Sequence, residues 1–76
     1  METNEIIRNN INVLMQSHGS GVLARLTGLD PSTLCVWASG KRIPKLSSLL
    51  LICNTLNINL QDFVSKKLVI KYEFEN

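Results

Sequence analysis

The chain has 76 residues, of which 45% are apolar and 18% charged, and its formal net charge is +2. That length holds one domain, the apolar share argues against a disordered chain, and an apolar run of five residues such as Leu49 to Cys53 cannot cross a bilayer, which takes about 20. The positive charge is concentrated: residues 8–45 carry Arg8, Arg25, Lys41, Arg42 and Lys45 against Asp30 alone, a local net of +4 that suits a polyanionic partner.

In chain order, Thr3 or Asn4 is placed to cap a first helix, with Glu5 in its first turn to complement the helix dipole. Ile7, Ile11 and Leu14 draw an apolar stripe at spacings of four and three. His18-Gly19-Ser20-Gly21 ends this helix, with His18 as a cation at its C-terminus and Gly19 as a left-handed cap. A second helix is expected from Ser20 to Thr27. Val22, Leu23 and Leu26 are its apolar residues, Ala24 permits close helix contact, and Gly28 stops it. Asp30 as N-cap and Pro31 at the first helical position start a third helix. Leu34 and Trp37 give it one inward face, and it ends at Ser39-Gly40. Lys41-Arg42-Ile43-Pro44 is a loop, because a proline disfavours helix at the residue before it. A fourth helix, about Lys45 to Leu56, sets Leu46, Leu49, Leu50, Cys53 and Leu56 on one face, with Asn57 as a left-handed cap. Asn59 caps a short fifth helix, Leu60 to Val64.

From Leu68 the period becomes two. Leu68, Ile70, Tyr72 and Phe74 alternate with Val69, Lys71, Glu73 and Glu75, the pattern of a strand with one apolar face. No earlier segment alternates this way, so the strand has no evident partner in its own chain. A lone strand leaves its polar edge open. Antiparallel pairing with the same strand of a second copy would close that edge and make Leu68, Ile70, Tyr72 and Phe74 a dimer interface. The competing readings are a disordered tail or one that folds back on its own helices.

The residues with chemistry to offer are few. Cys35, Cys53 and His18 stand at unrelated spacings and fall short of the four ligands of a structural zinc site, so no metal is expected and both cysteines read as free thiols. Paired carboxylates, a nucleophile with its base and a phosphate loop are all missing. The chain is therefore not read as an enzyme, and neither catalytic residues, a cofactor nor a small-molecule substrate is expected. The acidic opening Met1-Glu2-Thr3-Asn4-Glu5 is unlike a secretory signal, so the expected location is cytoplasmic.

The informative segment is Leu23-Ala24, Gly28, Asp30 to Trp37, Gly40-Lys41-Arg42-Ile43-Pro44 and Leu49. Two short helices joined by a glycine-containing turn have the geometry of a helix-turn-helix. Over Leu23 to Val64 the run LARLTGLDPSTLCVWASGKRIPKLSSLLLICNTLNINLQDFV resembles the lambda repressor-like, Cro-type helix-turn-helix family. The resemblance implies a mainly α fold of five helices, here followed by a C-terminal β-strand. With the period-two tail, the chain divides into a DNA-binding domain at 1–66 and a strand at 67–76 that would serve as a dimerisation arm. The resemblance further implies a sequence-specific regulator of transcription, a repressor, that binds double-stranded DNA as a homodimer. Pro31, Ser32 and Val36 would face the major groove with Thr33 beside them. Ser20 and Gly21, and Gly40, Lys41 and Arg42, would contact the DNA backbone. Ser20 stands where many relatives have glutamine, and Pro31, Cys35 and Val36 replace polar residues that make base hydrogen bonds. The alternative is a protein-interaction module on the same scaffold, an antirepressor or an assembly adaptor.

Overall fold

A computed structural model describes residues 2–75. Among them are five helices and a two-stranded hairpin, in the order α1 (Thr3–His18), α2 (Ser20–Thr27), α3 (Pro31–Ala38), α4 (Leu46–Leu56), α5 (Leu60–Ser65), β1 (Leu68–Ile70) and β2 (Glu73–Phe74). α1 is the central element and packs against α2, α3, α5 and β1. Its inward side chains, Ile7, Ile11 and Leu14, meet Leu23, Leu34, Ile52 and Phe63 in one core.

The caps follow local chemistry. Asp30 is extended and its side chain accepts from the Ser32 amide, with Pro31 in the first turn. Asn59 does the same for the Asp62 amide at the start of α5. Gly28 and Asn57 close α2 and α4 in the left-handed conformation. At α1 the expectation of a Thr3 or Asn4 cap is corrected: the cap is Glu2, without a side-chain bond. The Glu2 carbonyl already accepts from the Ile6 amide, which draws Thr3 and Asn4 into the first turn. Gly19 has a positive φ of 84° with ψ 147°, outside the left-handed helical region. His18 stands in the last turn of α1; desolvation by burial first, and the Lys71 ammonium second, lower its pKa below the usual 6.5.

In α4 the buried residues are Leu49, Ile52, Cys53 and Leu56. Leu46, at 63% exposure, and Leu50 point outward, so the stripe is rotated from the one expected. Leucine surrounds this helix on nearly every side, which leaves the period without a unique phase.

The tail differs more. Leu68 to Phe74 is a hairpin in which β1 pairs antiparallel with β2, Leu68 opposite Phe74, with a bulge before Ile70 opposite Glu73. The expectation of a lone strand is corrected: β1 has its partner in its own chain. The chain turns at Lys71-Tyr72, with Tyr72 at φ 64°. Leu68 is buried in the common core and Phe74 packs against it. Ile70, at 57% exposure, and Tyr72 face solvent. The four apolar residues therefore do not share one face. The Leu68 amide donates to Asn10 Oδ1 and its carbonyl accepts from Asn9 Nδ2, so at this position β1 spends its polar groups on α1.

Candidate nucleic-acid interface

α2 and α3 are eight residues each and pack on one another across the turn at Gly28 and Leu29. Leu34 and Trp37 are buried, and that fixes the facing of α3. Pro31, Ser32 and Cys35 are exposed on its other side, with Thr33 and Val36 half-buried. The end of α3 is tightly tied: Ser39 Oγ donates to the Val36 carbonyl at 2.8 Å, and the Gly40 amide donates to the Trp37 carbonyl at 3.1 Å. This turns the chain so that Lys41 and Arg42 come back beside α3. Ser32, Thr33, Val36, Trp37, Lys41 and Arg42 line one open concavity of about 420 Å³. Val36 and Trp37 give it apolar surface, and Lys41 and Arg42 give it positive charge. Of the residues singled out from sequence, these are the ones brought together; Ser20, Gly21, Pro31 and Gly40 lie outside its lining.

Ser32 has less freedom than the sequence suggested. Its hydroxyl donates to Asp30 Oδ1 at 2.6 Å and its amide donates to the same oxygen at 2.8 Å. These two bonds, the side-chain one foremost, hold the Asp30 carboxyl below its ordinary value. The hydroxyl oxygen keeps its acceptor lone pairs for an outside donor. The start of α2 is different. Gly19 supplies no side chain to cap it, and its carbonyl accepts from the Leu23 amide. The amides of Ser20, Gly21 and Val22 thus lack an intrahelical acceptor, the arrangement that attracts phosphate oxygens. Among the described residues, Lys66 and Asp62 form an ion pair at 3.6 Å, whereas Lys41 and Arg42 have no carboxylate within that reach.

Sequence reasoning passed over three polar residues of α1. Arg8 Nε and Asn12 Nδ2 both donate to the Ala38 carbonyl at the end of α3, at 3.3 and 2.8 Å. They fasten the last turn of α3 to α1. Asn10 is fully buried: its Nδ2 donates to the Phe63 and Lys66 carbonyls, and its Oδ1 accepts from the Leu68 amide. A signal for Asn10 was present, since it falls three residues after Ile7 and four before Leu14, inside the apolar stripe.

Comparison with known proteins agrees with this geometry. A family model described as Helix-turn-helix matches residues 22–63, from the first turn of α2 into α5. No curated protein and no solved structure matches the chain.

Proposed function

The chain belongs to the lambda repressor-like helix-turn-helix family and is a DNA-binding regulator of that type; we propose that it is a cytoplasmic repressor that reads a specific duplex sequence as a homodimer. The observation that carries this reading is the concavity that joins the outer face of α3 to Lys41 and Arg42. In the reading, α3 enters the major groove. Pro31, Thr33 and Val36 offer apolar contact to thymine methyls, and Ser32 offers a hydroxyl. Ser20 and Gly21 hold phosphates through their free amides, while Gly40, Lys41 and Arg42 hold the backbone on the other side. Repression then needs only occupancy, because a domain seated on an operator excludes polymerase.

A single small helix-turn-helix gains selectivity by binding two half-sites about one helical turn apart. The hairpin is the proposed route to the second copy. Leu68 and Phe74 support it from inside, and exposed Ile70 and Tyr72 form the surface that would meet a partner. Sedimentation of the full chain and of Ile70→Lys tests it. The wild type should dimerise at tens of micromolar and the variant should not.

The function itself is tested by titrating duplex pools at two salt concentrations. Binding should weaken linearly in log–log form as salt rises, and Arg42→Ala should lower the slope by roughly 1 while weakening all duplexes about equally. The alternative, a protein-interaction module, draws on the apolar Cys35 and Val36 of the same face. It requires the absence of any salt-dependent duplex binding.

A further inference from the structure

Arg8 projects from α1 onto the loop that follows α3. Its Nε is bonded to the Ala38 carbonyl. Its side chain also covers Gly40: a Cβ there would stand 3.1 Å from Arg8 Cδ, 3.2 Å from Nε and 3.4 Å from Cζ. Gly40 has φ 82°, a backbone conformation that favours glycine, and any Cβ there would press on this side chain. A guanidinium has five N–H donors. Among the described residues one is used, and no carboxylate lies within ion-pair distance of Arg8. Two concavities meet at this side chain. One reaches Gly40 and Ile43, and the other reaches Lys67.

We propose that Arg8, with Lys67 beside it, is a further binding site for a DNA backbone phosphate, extending onto α1 the contact made by Gly40, Lys41 and Arg42. The proposal rests on the DNA-binding reading above. Tethering by Nε fixes the direction of the guanidinium and leaves its fork for the bidentate geometry that phosphate accepts. The neighbouring amides cannot do this work. Asn9 Nδ2 is spent on Asn10 Oδ1 and the Leu68 carbonyl, and Asn12 Nδ2 on the Arg8 and Ala38 carbonyls. Anion binding there falls to the two cations, and Glu5, which lines both concavities, opposes it. A purely structural task for Arg8 is already met, because Asn12 satisfies the Ala38 carbonyl at 2.8 Å.

The test compares salt slopes for binding a duplex that the wild type binds. Arg8→Gln keeps an N–H for the Ala38 carbonyl and removes the charge. It should melt near the wild-type temperature and lose about one unit of slope, so that between 50 and 200 mM salt its affinity falls about fourfold less than that of the wild type. Arg8→Lys should restore the slope. Glu5→Gln, at an exposed position, should bind more tightly at low salt, and this variant decides the matter if Arg8→Gln does not fold. Wild-type slopes and affinities in both variants would overturn the site while leaving the DNA-binding reading intact. Loss of thermal stability in Arg8→Gln with an unchanged slope would reduce Arg8 to a clamp and also overturn it. A wild-type protein without salt-dependent duplex binding would remove both readings together.

Discussion

The buried polar side chain that ties the most chain segments together is Asn10. It stands at 0% exposure on α1 and joins three chain segments. Its Nδ2 donates at 2.7 Å to the Phe63 carbonyl and at 2.8 Å to the Lys66 carbonyl, and its Oδ1 accepts at 2.7 Å from the Leu68 amide. Asn10→Ala removes these three bonds, together with the one that Oδ1 accepts from Asn9 Nδ2, and leaves the main-chain groups behind. A buried group stripped of its partner costs about 1–3 kcal/mol, so the Leu68 amide and the Phe63 carbonyl, with a smaller share for the wetter Lys66 carbonyl, amount to about 3–5 kcal/mol. For a chain of this size the whole stability is roughly 4–11 kcal/mol, and each kcal/mol moves the midpoint by about 4–8 °C. Far-UV circular dichroism should therefore show a melt lowered by tens of degrees. In the wild type the Leu68 amide should exchange with deuterium among the slowest outside the helices. Asn10→Asp separates the contributions, since it keeps the acceptor for Leu68 but turns a carboxylate toward two carbonyls, and it should also be destabilised. A loss under about 1 kcal/mol in Asn10→Ala would refute the role assigned to this network.

Other outcomes follow from the same structure. Val36→Ala should weaken operator binding by less than about 2 kcal/mol and relax preference at one or two A·T pairs; an unfolded variant would mean that Val36 belongs to the core. A thiol reagent at neutral pH should label the native chain once, at exposed Cys35, because burial pushes the Cys53 thiol up to about 11; rapid double labelling of folded protein would contradict this. Asp30→Ala should melt below the wild type at neutral pH. Because Ser32 lowers the native carboxyl beneath its ordinary 3.8, that stabilisation is present above 3.8 and is lost as pH falls through the lowered native value. The two melting curves should therefore converge in acid, and a constant gap would exclude the carboxylate as the cap.

The helical part was legible because its boundaries are set by local chemistry. Asp30-Pro31 starts α3 and Asn57 closes α4, whatever the core does. The facing of α3 was legible too, since Leu34 and Trp37 are its only large inward candidates. The phase of α4 was not, because Leu46, Leu49, Leu50 and Leu51 offer several equivalent stripes and only packing against α2 and α5 chooses among them. Arg8 and Asn12 escaped notice for another reason. Their partner is the Ala38 carbonyl, 30 and 26 residues away, and a backbone acceptor at that distance leaves no mark in a sequence pattern.

The hairpin shows how tertiary contacts overrode a clear period. Two-residue hairpin turns favour Asn-Gly or Asp-Gly, because their central residues need positive φ. Lys71-Tyr72 carries no such signal, yet Tyr72 sits at φ 64°. An aromatic residue there costs about 1–2 kcal/mol, and the surroundings offset it. The Tyr72 hydroxyl lies 3.2 Å from His18 Nε2, the Lys71 ammonium is 5.2 Å from its ring, and Leu68 and Phe74 on either side of the turn pack on the core. Holding Leu68 inside forces the alternation to break, and Ile70 is released outward. For this reason the dimer test uses a point change at Ile70. A chain cut after Lys66 would lose Leu68 from the core, and with it the amide that donates to the buried Asn10 Oδ1, so an absent dimer in that variant would report on folding and say nothing about the interface.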